Sequence, residues 1–191
     1  MNKLVDKILR AQRVRPVLKA CQALANSPTN IFDIGCDDNF LLKKFLDLPS
    51  VNLVGMDPLV QGHHPAIKNI KGFFPQDLPE SEQHNQYDLI LALAVLEHLP
   101  EETLPAAAAT LAKMIAPQGR IIITIPQPSC DTIIRWLTYL QLIDPHAARE
   151  HHHFDPKKLP AIFAPYFVLE KWAKFQGGMN NLMVFRPKLG N

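Results

Sequence analysis

The chain has 191 residues, 47% of them apolar, enough to fill the core of one domain. Its 20 Lys and Arg stand against 18 Asp and Glu, and a net charge of +2 gives no global electrostatic reason to expect nucleic acid as a partner. Cys21, Cys36 and Cys130 are odd in number, widely spaced and without zinc-ligand spacing, which argues against a disulfide framework or a metal site and for a reduced, cytoplasmic protein.

Residues 3 to about 25 are predicted helical, since Leu4, Ile8, Ala11, Leu18 and Cys21 recur at roughly helical spacing and Asn26-Ser27-Pro28 ends the run. Lys3, Asp6, Lys7, Arg10, Arg13 and Arg15 break this segment, so it lacks the apolar core of a signal peptide or a membrane span. A solvated charged face on a docked helix is the preferred reading of the cations, and peripheral contact with an anionic membrane the alternative. Asn30 to Ile34 then forms an apolar strand running into an Asp33-x-Gly35 turn, the way an α/β protein presents backbone to a nucleoside-containing ligand. Phe40–Leu46 is predicted as a first crossover helix, stopped by Pro49. A second strand, Val51 to Met56, ends in Asp57, where a carboxylate would meet a ribose diol.

Pro58 to Ile70 reads as a loop with a short helix and exposed His63 and His64, followed by a short third strand at Lys71–Phe74. Tyr87 to Ala94 is a continuous apolar run, the mark of a strand buried on both faces of a parallel sheet. Glu101–Ala116 is predicted helical, carried by alanines 106 to 109 and closed by Pro117-Gln118-Gly119, and Arg120 to Ile125 is a β-branched strand. Residues 130–164 look like an insertion of two or three helices, and Tyr166–Phe175 with Asn181–Phe185 would form an antiparallel hairpin around Gly177-Gly178. The order predicts one domain over residues 1–191, α/β in class, with a mixed sheet.

Four features resemble the class I S-adenosylmethionine-dependent methyltransferases: Phe32 to Asn39, Asp57-Pro58, Gln76-Asp77-Leu78-Pro79 with Tyr87-Asp88-Leu89-Ile90, and Val95-Leu96-Glu97-His98-Leu99. The last two resemble most the branch acting on small molecules and lipids. The resemblance implies a Rossmann-like, doubly wound sheet of seven strands, with the 130–164 insertion as a cap over the substrate. It further implies S-adenosyl-L-methionine as cofactor, S-adenosyl-L-homocysteine as product, and a small-molecule or lipid-like acceptor. By the same resemblance, Asp33 and Gly35 would hold the methionyl amino group, with Cys36, Asp37 and Asn39 completing the loop. Asp57, with Pro58, would take the ribose hydroxyls, Asp77 and Leu78 the adenine, and Ala92 and Leu93 the methionyl portion.

The loop departs from the family pattern, because Asp37 and Asn39 stand where the family has glycines. Asp and Asn are the non-glycine residues that best tolerate positive φ, but each adds a side chain where the ligand approaches. A catalytically inactive, methyltransferase-like scaffold is therefore the alternative reading; a nicotinamide-dependent oxidoreductase is a third, opposed by the missing Gly-x-Gly-x-x-Gly. Glu97 and His98 are read as fixing the start of the next helix, with a catalytic base as the competing role. His151, His152 and His153 are consecutive and do not converge as a metal site. The apolar run Ile133–Ile143 would bury in the core, with roofing an apolar acceptor, docking a partner chain or touching a membrane as alternatives.

Overall fold

The computed structural model describes residues 3–24, 27–127 and 154–188, the side chains of residues 3–10 excepted. Seven strands form one sheet: β1 (Asn30–Ile34), β2 (Asn52–Asp57), β3 (Ile67–Lys71), β4 (Tyr87–Leu93), β5 (Ile115–Pro126), β6 (Phe167–Phe175) and β7 (Asn180–Pro187). Their order is β3-β2-β1-β4-β5-β7-β6; β1 to β5 run parallel and β7 lies antiparallel to both β5 and β6. This is the doubly wound α/β arrangement that the sequence predicts.

The central strands explain themselves. Leu89, Ile90, Leu91 and Ile121, Ile122, Ile123 are consecutive apolar residues, all fully buried, because both sheet faces are covered. Helix α1 (Lys3–Gln22) covers one face by burying Val14, Val17, Ala20 and Cys21 beside Ile31, Leu91 and Ile122. Helices α3 (Leu104–Met114) and α4 (Leu159–Phe163) cover the other, where Leu111 and Phe163 join Phe32, Ile123 and Phe185. Short helix α2 (Glu80–Gln83) closes the amino end, where buried Glu82 accepts from Tyr87, Lys68 and Asn85.

Several local expectations are corrected. The first crossover is not an α-helix: turns lead into one 3-10 segment, Leu42–Phe45. The third strand is Ile67–Lys71, inside the segment expected to be a loop, and Lys71–Phe74 is mostly the turn after it. The predicted Glu101–Ala116 helix divides into a 3-10 turn, Glu101–Thr103, and α3, while β5 starts at Ile115, ahead of Pro117. Helix α1 stops at Gln22 and docks through Val14 and Val17 rather than Ala11, which is exposed. His64 is half-buried, its Nδ1 accepting from the Ala66 N–H. Residues 128–153, with Cys130, Ile133–Ile143 and His151–His153, lie outside the described residues.

Candidate functional site

The candidate residues gather at the carboxyl ends of β1, β2 and β4. β1 pairs with β2 on one side and β4 on the other, so successive crossovers leave in opposite directions and open a crevice there. The β1 turn is held to β2 by the Gly35 N–H, which donates to the Met56 carbonyl at 2.8 Å. Gly35 has φ +77°, and a Cβ there would come within 2.2 Å of Val95 Cγ2. Only glycine lets the segment after β4 rest against this turn. That segment is itself redirected by Ala94, whose φ is +55° and whose N–H donates to the Thr124 carbonyl at 2.9 Å.

Asp37 and Asn39 adopt φ +45° and +62°, so the loop keeps the left-handed conformation that glycines would provide. The Asn39 side chain faces the neighbouring loops: its Nδ2 donates to the Gly62 carbonyl at 3.1 Å and to Asn69 Oδ1 at 2.9 Å. Gln61 and Gly62 in turn donate their N–H groups to the Asp37 carbonyl at 3.0 and 3.2 Å. A Cβ on Gly62 would lie 2.3 Å from the Asp38 carbonyl oxygen, so the loop after β2 seals against the loop after β1 only because that position is glycine.

Asp57 stands at the end of β2. Its Oδ2 accepts from the Asp37 N–H at 3.2 Å and its Oδ1 from the Leu59 N–H at 2.8 Å, and each oxygen keeps further acceptor capacity. Asp33 is buried. The Cys36 thiol reports the local charge: burial, followed by the carboxylates of Asp33, Asp57 and then Asp37, pushes it up to about 12. Three negative side chains thus act on one turn. Such a turn suits a ligand with more positive than negative charge, and the cofactor implied by the resemblance carries a sulfonium and an ammonium against one carboxylate. The residues present fit that group.

Asp77 is exposed and closes the turn after β3, its Oδ2 accepting from the Phe73 N–H at 2.8 Å. The Leu78 side chain is buried in the core, as is that of Ala92, while Leu93 is half-buried on the α1 face. Pro58 is half-buried beside the turn that Asp57 caps. The sequence reading missed Leu59 and Phe73, which are 72% and 61% exposed. Asp57 pairs with Lys71 in register, so Leu59 and Phe73 each lie two residues beyond the end of their strand, on neighbouring loops. An apolar residue two positions past each strand end was the available signal.

Glu97 and His98 part company. His98 is exposed, whereas Glu97 is 3% exposed in the 3-10 turn Leu96–His98 and neither of its carboxylate oxygens has a hydrogen-bond partner. The cap positions of the Glu101–Thr103 turn and of α3 are Pro100 and Thr103, so Glu97 and His98 stand just ahead of them in the chain.

Comparison with known proteins bears on the whole arrangement. None of the curated proteins matches the sequence. Among solved structures, the N-methyltransferase NodS from Bradyrhizobium japonicum WM9 superposes with a TM-score of 0.70 at 18% identity, over 97% of this chain and all of that one. Its complex with S-adenosyl-L-homocysteine gives a TM-score of 0.68 at 18% identity, covering 94% of this chain and 87% of that chain. A TehB-like SAM-dependent methyltransferase from Corynebacterium glutamicum ATCC 13032 gives 0.62 at 18% identity, over 96% and 99% of the two chains. These likenesses establish the fold. A model of the methyltransferase domain matches residues 7–164, most of the chain and all of the crevice just described. The chain belongs to the class I S-adenosylmethionine-dependent methyltransferases, enzymes whose cofactor is S-adenosylmethionine.

Proposed function

We propose that this enzyme methylates a small-molecule or lipid-like acceptor at the crevice above β1, β2 and β4. The observation that carries the site assignment is the convergence of Asp33, Asp37 and Asp57 on the Cys36 turn. When bound, S-adenosylmethionine supplies an electrophilic methyl group on a positively charged sulfur. Asp33 and the Gly35 backbone hold the methionyl ammonium, with Asp37 and Cys36 lining the same turn and Asn39 fixing it from behind. Asp57 accepts from the ribose hydroxyls with the oxygen capacity its turn contacts leave over, and Pro58 fixes its approach. Asp77 and the Leu78 backbone meet the adenine edge, while Leu59 and Phe73 cover its faces. Ala92 and Leu93, by backbone and by shape, close the methionyl side. Alignment and exclusion of water do most of the work, since displacement at a sulfonium methyl requires an in-line nucleophile above all.

Calorimetric titration with S-adenosylmethionine and S-adenosylhomocysteine tests the assignment, with Asp57→Ala alongside. Micromolar binding is expected, weakened on the order of 10-fold or more in the variant, because two charge-assisted hydrogen bonds are removed. Unchanged affinity in a folded Asp57→Ala protein would remove Asp57 from the site.

A further inference from the structure

On the α1 side of the sheet, next to this crevice, buried polar atoms are left without partners. Both Glu97 oxygens, Thr124 Oγ1 and Asn180 Oδ1 make no hydrogen bond, although Glu97 is 3%, Thr124 0% and Asn180 7% exposed. Buried polar groups are nearly always paired, so several orphans in one neighbourhood mark a place for a ligand.

Their neighbourhood follows from the sheet register. Thr124 on β5 lies opposite Leu93 on β4 and Leu182 on β7, and Asn180 lies opposite Pro126. Two-residue spacing on both strands puts the Thr124 and Asn180 side chains on the same face. The turn carrying Glu97 is tied to this strand by the Ala94 N–H to Thr124 carbonyl bond. Helix α1 brackets the group with consecutive residues. Gln12 Oε1 accepts from Gln176 at 3.5 Å, Gln176 Oε1 accepts from Asn180 Nδ2 at 2.6 Å, and the Arg13 charge acts on Glu97.

On these three side chains the atoms left over are acceptors, the two Glu97 oxygens and Asn180 Oδ1, or can accept, the Thr124 hydroxyl, with the Arg13 guanidinium beside Glu97. A primary ammonium presents three donors and no acceptor, which matches three such groups, and its charge complements a carboxylate. An alcohol brings a single donor and lone pairs of its own.

Building on the methyltransferase reading above, we propose that the acceptor is a primary amine, held by Glu97, Thr124 and Asn180 and methylated on that nitrogen. One ammonium proton passes to the Glu97 carboxylate, freeing the nitrogen lone pair. That pair forms the new N–C bond while the methyl C–S bond breaks and its electrons stay on sulfur as a neutral thioether. The product leaves as a secondary ammonium, and Glu97 returns its proton to solvent.

The test pairs amines with alcohols of the same skeleton: n-octylamine with 1-octanol, and tyramine with tyrosol. Calorimetry on the protein saturated with S-adenosylhomocysteine should show each amine binding about 10-fold or more tighter than its alcohol. Mass spectrometry after incubation with S-adenosylmethionine should find N-methyl products. Glu97→Gln should lower kcat/KM for the amine by roughly 100-fold or more, the size of a lost proton acceptor, while cofactor affinity holds. Thr124→Val, a milder change, should raise KM for the amine and leave cofactor affinity alone. Equal binding of amine and alcohol, transfer to oxygen, no ternary binding by either amine, or undiminished turnover in folded Glu97→Gln would each overturn the amine assignment. Failure of folded wild-type protein to bind the cofactor would overturn the methyltransferase reading beneath it, a distinct result.

Discussion

Burial pushes Glu97 up to about 7, against the opposing pull of its own backbone N–H and of Arg13. A folded-state value above the unfolded 4.5 means the native protein holds this proton more tightly, so the stabilisation is complete below pH 4.5 and is lost as pH rises through 7. The gap corresponds to about 3 kcal/mol, and Glu97→Gln, neutral throughout, should flatten that pH dependence and melt higher than wild type at pH 8. Thermal melts of both proteins at pH 4.5 and pH 8 check this. At the cofactor loop, Asn39→Ala should cost about 1–3 kcal/mol, because it removes two part-buried side-chain bonds and a residue suited to positive φ. Asp37→Gly should stay within about 1 kcal/mol of wild type in chemical denaturation, since glycine accepts the same backbone conformation. The sequence told which residues tolerate the left-handed turn. It did not tell that the Asn39 amide would be spent on Gly62 and Asn69, because those partners are 23 and 30 residues away.

Among the elements, those with unbroken apolar runs were legible and those at the margin of the sheet were not. β4 and the second half of β5 announce themselves through continuous Leu and Ile. β3 hides because it is an edge strand of the sequence Ile-Lys-Asn-Ile-Lys, with only Ile67 and Ile70 buried. The first crossover fails as an α-helix for want of length. Lys43 N–H reaches the Asn39 carbonyl in α fashion, but Lys44 already bonds to Leu41 in the tighter 3-10 pattern, and Pro49 follows too soon to repay nucleation. The entry to β1 depends on β4: one Asp88 oxygen accepts from Thr29 N–H at 2.9 Å, Thr29 hydroxyl at 2.8 Å and Asn30 N–H at 3.0 Å. Partial burial raises the Asp88 pKa, and these three bonds outweigh it, leaving the group below its ordinary value. Its contribution is present at neutral pH and lost as pH falls through the acid range. Asp88→Ala should cost about 1–2 kcal/mol at pH 7 and less as pH falls through the acid range, measured by urea denaturation at neutral and acid pH.

At the scale of the molecule, the class, the mixed sheet and the terminal hairpin were readable because βα units and closely spaced strands leave few topologies. The proposed acceptor side was not, since Glu97 lies in the turn after β4, Thr124 on β5 and Asn180 on β7, and only the strand register and the Ala94–Thr124 bond relate them. No helix among the described residues is long and apolar enough to cross a membrane. Cofactor at about 100 times its Kd should stabilise the whole domain by roughly 2.7 kcal/mol, a rise of some 5–10 °C in Tm, and Asp57→Ala should lose most of that rise. The charged turn around Cys36 has one more consequence. A protein that keeps an alkylating agent against its own backbone risks methylating itself, and a thiolate is the side chain most open to that attack. With its thiol held near 12 by burial and three carboxylates, Cys36 stays protonated at any physiological pH, so peptide mass spectrometry should find Cys36 unmethylated after prolonged storage of the enzyme with its own reagent.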